Sequence, residues 1–190
     1  TQLAREIHRL SRRAHHPFVE VNCAAIPESL IESELFGHKK GAFTGATHER
    51  AGRFQTANKG TLFLDEVSEI PLNLQAKLLR AIQDQEFEMV GADTTTRVDV
   101  RIIAATNQDI QQLIRKNRFR QDLFFRLRVV SIQVPPLSAR LKDIPDLVDH
   151  FLQKINRDLD TDVHKLQEGV MARLVSHHWS GNVRELENVL

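Results

Sequence analysis

The stretch that most limits what this chain can fold into is Gly60-Thr61-Leu62-Phe63-Leu64, which runs unbroken into Asp65-Glu66. A near-continuous apolar run of this length predicts a parallel strand covered on both faces. The two acids then fall at the carboxyl end of a core strand, where open α/β sheets hold their ligands. Carboxylates are rarely buried unless something pairs with them. An acid pair at such a place suits nucleotide hydrolysis: one carboxylate holds Mg²⁺ through its waters, and the neighbour orients or polarises the attacking water. The same pair also suits the N-terminus of an ordinary helix, and the residues alone leave both readings open.

Other segments supply the neighbours such a strand requires. Leu3, Ile7 and Leu10 recur at helical spacing and predict a helix from Thr1 to about Arg13. Phe18, Val19 and Val21 predict a short strand reaching Asn22 and Cys23. Pro27-Glu28 opens a second helix through Leu30, Ile31 and Leu35, which stops at Gly37. Leu74, Leu78 and Ile82 mark an amphipathic helix. Val100 to Ala105 and Val129 to Val134 read as two further strands. Strands alternating with helices at this spacing predict a parallel α/β sheet. Pro135-Pro136 breaks the alternation, and from Asp143 only helical periods follow. The expected organisation is an α/β core over 1–136 and a small all-helical part over 137–190.

Two more polar groups lie where a nucleotide site would use them. Thr106-Asn107 ends the strand Arg101-Ile102-Ile103-Ala104-Ala105, at the level of the acid pair. These side chains can hydrogen-bond a phosphate or the attacking water, or can simply cap the helix that starts near Asp109. Arg120 and Arg126 stand six apart on an amphipathic segment, and an arginine fork stabilises a departing phosphoryl group, often in trans. From Arg97 to Arg128 the chain is net +5, which fits a nucleic-acid face or an inter-subunit nucleotide site.

Composition narrows the class. Of 190 residues 41% are hydrophobic, enough for a packed core without disulfides. The net charge of +1 gives no overall attraction to nucleic acid or to an anionic membrane. A single cysteine, Cys23, makes a reducing cytoplasm the expected compartment. The nine histidines include two adjacent pairs, His15-His16 and His177-His178, which do not form a closed metal site with one cysteine. No apolar run approaches the roughly 18 residues of a membrane span, and no membrane partner is expected.

At Glu34-Leu35-Phe36-Gly37-His38-Lys39-Lys40 the chain enters Gly41-Ala42-Phe43-Thr44-Gly45-Ala46. On this hexapeptide it resembles the AAA+ ATPase domain of NtrC-like bacterial enhancer-binding proteins, the activators of sigma-54 RNA polymerase. In that family the segment Gly41 to Ala46 is the loop that engages sigma-54. Phe43 is its one large apolar group, and the charged residues on both sides favour a solvated projection over a ring tucked into the core. Gly60 to Val67 is similar to the family's Walker B strand, which implies Asp65 for Mg²⁺ and Glu66 for water. Ala104 to Asn107 resembles its first sensor, so Thr106 and Asn107 become candidate catalytic residues. Phe119 to Leu127 resembles the segment with the arginine fingers, here Arg120 and Arg126. Trp179 to Leu186 resembles the second sensor, with Arg184 touching the nucleotide. Asn22 falls where the family has an asparagine restraining the Walker B glutamate, and Thr1 where a residue follows the phosphate-loop lysine.

The resemblance implies ATP and Mg²⁺ as cofactors, an AAA+ P-loop type sheet flanked by helices, and a helical lid. It also implies a ring, hexamer or heptamer, and enhancer DNA bound by a helix-turn-helix domain outside these residues. The chain starts at Thr1 without a methionine and ends at Leu190 within a helical pattern, so a fragment is expected. The same start leads to the expectation that the N-terminal strand and phosphate loop are absent and that the fragment is inactive. Ser180 stands where many members have proline. A competing reading is a regulator that keeps the fold and binds partners or DNA without turnover.

Overall fold

Thr61–Asp65 is the central strand of a parallel sheet in the computed structural model, which describes all residues from Thr1 to Leu190. In the first of two units, Thr1–Ser131, the strands are β1 (Phe18–Asn22), β2 (Gly37–His38), β3 (Arg50–Ala51), β4 (Thr61–Asp65), β5 (Glu86–Glu88), β6 (Thr95–Arg97) and β7 (Arg101–Ala104). Its helices are α1 (Gln2–Arg9), α2 (Glu28–Phe36), α3 (Arg53–Thr56), α4 (Leu72–Gln83), α5 (Ile110–Arg115) and α6 (Gln121–Leu127). The main sheet runs β1-β4-β7, all parallel, with Val21 opposite Leu64, Asn22 opposite Asp65 and Leu64 opposite Ala104. Thr61, Leu62, Phe63 and Leu64 are all buried, as the apolar run requires. Leu62, Phe63 and Leu64 each contribute about 1.5–3 kcal/mol by leaving water.

The strand can enter the sheet only because Gly60 precedes it. A Cβ there would lie 2.0 Å from the Pro17 carbonyl oxygen, while the Thr61 N–H donates to that same oxygen at 2.8 Å. Close backbone approach of this kind is a glycine role. To one side, the rings of Phe36, Phe54 and Phe87 meet at centroid distances of 5.4 to 5.7 Å and join α2, α3 and β5.

Two expectations are corrected. The first helix stops at Arg9 rather than near Arg13. The Ser11 hydroxyl donates to the His8 carbonyl at 2.7 Å and accepts from the Arg13 N–H at 3.1 Å, so a side chain takes up backbone groups that would otherwise continue the helix. The segment Val129 to Val134 is not a strand: it is a turn followed by irregular chain, and Val129 and Val130 are each 80% exposed. An apolar run becomes a strand only beside a neighbour that takes its backbone hydrogen bonds, and none lies along these residues.

The second unit, Ile132–Leu190, is helical throughout: α7 (Ile144–Leu159), α8 (Val170–Ser176) and α9 (Asn182–Val189), with two short 3₁₀ turns before them. Leu137, Ile144, Val148, Phe151, Leu174, Trp179 and Leu186 form its core. The buried Trp179 Nε1–H donates to the Leu174 carbonyl at 2.7 Å, and Asn182 Oδ1 accepts from the Leu137 N–H at 2.8 Å. Glu185 accepts from the Gly181 N–H at 2.7 Å and meets His177 Nε2 at 3.0 Å. The Gly181 bond, then His177, holds its carboxyl below the usual range. No helix of the protein is long and apolar enough to cross a membrane.

Candidate active site

The chain leaves β4 at Asp65 and turns at once, because Glu66 adopts a left-handed conformation (φ 52°, ψ 49°) at the start of a 3₁₀ turn over Val67–Glu69. Two backbone bonds stitch this exit to the end of β7: Ala105 N–H to Leu64 O at 2.9 Å, and Val67 N–H to Ala105 O at 3.0 Å. The pairing brings Thr106 and Asn107 beside the acids. Glu66 Oε2 accepts from the Asn107 N–H at 3.3 Å. Thr106 Oγ1 lies 2.8 Å from Ser68 Oγ and accepts from the Gln108 N–H at 3.0 Å. The Gln108 amide in turn donates to Glu69.

Beneath these groups lies Cys23, whose thiol is pushed up to about 12, first by burial and then by the charges of Asp65, Glu66 and Glu69. None of those three carboxylates takes part in an ion pair. The result is a half-exposed patch of negative charge, lined by carboxylate and hydroxyl oxygens. A hard cation takes that donor set. No three His, Cys, Asp or Glu side chains converge into a full metal cage. Mg²⁺ fits such a place, since it keeps several waters and takes the rest of its oxygens from phosphate.

The other candidates are placed as follows. Asn22 sits next to Asp65 across the β1–β4 register, but its Oδ1 caps the following turn, accepting from Ala24 N–H at 3.0 Å, and does not bond Glu66. Thr1 Oγ1 donates to Glu20 on β1 at 3.0 Å. The Arg120 guanidinium grips Asp122 through two bonds of 3.0 and 2.7 Å, which pull the Asp122 carboxyl below its usual range. Arg126 Nη2 donates to the Ile82 carbonyl at 3.3 Å. Arg184 is exposed on α9 in the helical unit.

Gly41 (φ 82°) and Gly45 (φ 100°) turn the loop between β2 and β3, where nothing lies within 4 Å of an added Cβ. Their conformation, not lack of space, calls for glycine. Gly41 N–H donates to Ala46 O at 2.8 Å and closes the turn. Ala46 is buried, Thr44 is exposed, and Ala42 packs against Gly91. Phe43 is 38% exposed, its ring 5.0 Å from that of His38 in an edge contact. It is neither wholly projecting nor wholly in the core.

Sequence reasoning missed Ser68, Glu69 and Gln108, which complete the hydrogen-bonded rim around Thr106. A polar run directly after the acid pair, Ser68-Glu69, is the signal that was open to reading.

The family model of the sigma-54 interaction domain matches residues 1–133, and that of an AAA+ ATPase lid domain matches 138–190. The regulatory protein AtoC of Escherichia coli is 54% identical over 99% of this chain, and the Nif-specific regulatory protein of Azotobacter vinelandii is likewise 54% identical over 99%. The chain spans 41% and 36% of those two proteins. Crystal structures of NtrX from Brucella abortus in complex with ADP and with ATP superpose with TM-scores of 0.92 and 0.91, at 43% identity, over 98% of this chain and 41% and 40% of theirs.

These nucleotide complexes correct one expectation. The position of Thr1 suggests a core without its N-terminal strand and phosphate loop, inactive for that reason, yet the chain follows nucleotide-bearing NtrX over nearly its whole length. The sheet order, the Glu66 turn and the oxygen-lined patch all form from the residues present. Where the chain starts is therefore no measure of its fold or activity.

Proposed function

The chain belongs to the sigma-54 interaction domain family, and on that premise we propose that it is the ATP-hydrolysing domain of a bacterial transcriptional activator that remodels sigma-54 RNA polymerase for promoter opening. The observation that carries this reading is the junction of β4 and β7, where Glu66 is held by the Asn107 N–H beside Asp65.

In this reading Asp65 would hold Mg²⁺ through water, and the bound ion would supply charge neutralisation at the phosphates. Glu66 accepts a hydrogen bond from the attacking water and draws its proton as the water oxygen bonds to the γ-phosphorus and the bond from that phosphorus to the β–γ bridging oxygen breaks, releasing ADP and inorganic phosphate. Thr106 and Asn107 sense the phosphate end. Arg120 and Arg126 reach the nucleotide of a neighbouring subunit in a ring. Arg184 touches the nucleotide of its own, and Thr1 and Asn22 lie at the margin of the site. The loop Gly41 to Ala46 carries the motion to sigma-54. Enhancer DNA is bound by a part of the protein outside these residues, and the whole works in the cytoplasm. The binding-only reading has no structural feature in its favour.

Glu66→Ala in the full-length protein tests the assignment. ATP binding is expected to persist while steady-state phosphate release falls to background. Undiminished release would remove Glu66 from the reaction.

A further inference from the structure

Gln75 on α4 has no solvent exposure, yet it belongs to none of the groups described above. Its amide is fully used. Nε2 donates to the Ile70 carbonyl at 2.9 Å and to the Arg118 carbonyl at 3.1 Å, and Oε1 accepts from the Arg120 N–H at 2.8 Å. A primary amide offers two donor hydrogens and one acceptor oxygen, and each has a backbone partner here.

The partners belong to two places that matter. Ile70 closes the 3₁₀ turn that begins at Glu66, where Glu69 N–H also donates back to the Glu66 carbonyl at 2.9 Å. Arg118 and Arg120 flank the buried Phe119 and lead directly into α6, with Arg120 at its N-terminal boundary. The apolar anchors Phe119 and Leu123 hold this segment against the core, but apolar contact is not directional. Two hydrogen bonds to one amide, itself tied to Ile70 by a third, set its register. The Arg120–Asp122 pair does not, because it is local and about half exposed, so the guanidinium can exchange Asp122 for another anion while its backbone stays in place.

We propose that Gln75 is a positioning residue that locks the backbone of the Arg120 segment to the turn carrying Glu66, so that both ends of the hydrolytic machinery in one subunit keep a fixed spacing. This rests on the reading of Glu66 and Arg120 given above.

The test uses the full-length protein with Gln75→Met, which keeps the length and removes the polar atoms, and Gln75→Glu, which keeps the acceptor and loses both donors when ionised. Folded rings that bind a fluorescent ATP analogue as the parent does are expected. Turnover at saturating ATP should fall on the order of 10²-fold with KM little changed, the size of effect known for small misplacements of a reacting group. Hydrogen exchange should show lost protection at the Arg120 amide.

The decisive step is subunit mixing. Gln75→Met with Glu66→Ala should regain turnover, since mixed sites join an intact Glu66 to a correctly held Arg120, while Gln75→Met with Arg120→Ala should not. Parental turnover in Gln75→Met overturns the proposal. So does failure to recover with Glu66→Ala when Arg120→Ala does recover with it. If Arg120→Ala also fails to recover, the trans reading itself is wrong and the proposal falls with it. If neither Gln75 variant folds, Gln75 is a core residue only.

Discussion

Glu66 combines its proposed chemical role with a conformational cost. A left-handed backbone at a residue with a Cβ costs roughly 1–2 kcal/mol, and here it turns the chain out of β4 so that the carboxylate meets the Asn107 N–H. Strain of this kind persists only where the surroundings over-determine it. Glycine takes the same conformation freely. Glu66→Gly is therefore expected to raise unfolding stability by up to about 1 kcal/mol in urea titration while phosphate release disappears. A loss of stability would mean that the Asn107 contact outweighs the strain. Cys23, buried close to the same acids, shows the opposite use of environment: burial and three carboxylates keep its thiol protonated and unreactive.

The loop between β2 and β3 contains no acid, base or phosphate-binding cation from Gly41 to Ala46, so it should not take part in the chemical step. Its shape comes from Gly41, Gly45 and the Gly41–Ala46 bond, with a Lys39–Glu49 ion pair of 2.8 Å across its base. Phe43 adds only a half-exposed ring resting on His38. Truncating that ring leaves the loop's path intact. Phe43→Ala is expected to keep at least most of the ATPase activity and ring assembly, yet to lose capture of sigma-54 in a pull-down with a transition-state analogue bound. Normal capture would show that the ring is not the anchor, and lost ATPase with misfolding would mean that its contact with His38 is structural.

Elements also show where local pattern stops being informative. Helical spacing in Leu3, Ile7 and Leu10 marks α1 but not its end, because Ser11 competes for the backbone. Val129 to Val134 has the composition of a strand and none of a strand's neighbours. Hydropathy describes what a segment could bury; pairing needs a second segment in place.

For an assembled ring, the proposed roles of Arg120 and Arg126 depend on more than one copy of the chain. Within one chain Arg120 is occupied by Asp122 and Arg126 by the Ile82 carbonyl, and neither bonds the acid cluster. An arginine finger supplied in trans is worth on the order of 10³ or more in rate. Arg120→Ala and Arg126→Ala are each expected to lose turnover alone and to regain part of it when mixed with Glu66→Ala subunits. The measurement is phosphate release across mixing ratios, with subunit exchange verified. Mixtures no more active than either parent would place the arginines elsewhere.

Sequence alone determined the buried course of β4, because the consecutive apolar residues Leu62, Phe63 and Leu64 leave no solvated face, and it placed Asp65-Glu66 at that strand's end. It determined the helical nature of the chain after Asp143 and the glycine turn around Phe43, since both follow from spacing and backbone freedom within a few residues. Only the tertiary structure decided that β7 pairs with β4, that the Asn107 N–H rather than Asn22 holds Glu66, and that Gln75 ties Ile70 to Arg118 and Arg120. Except for the bond from Gln75 to Ile70, these contacts join residues some forty positions apart. They depend on which surfaces pack together, and no local periodicity encodes the direction of a single buried hydrogen bond.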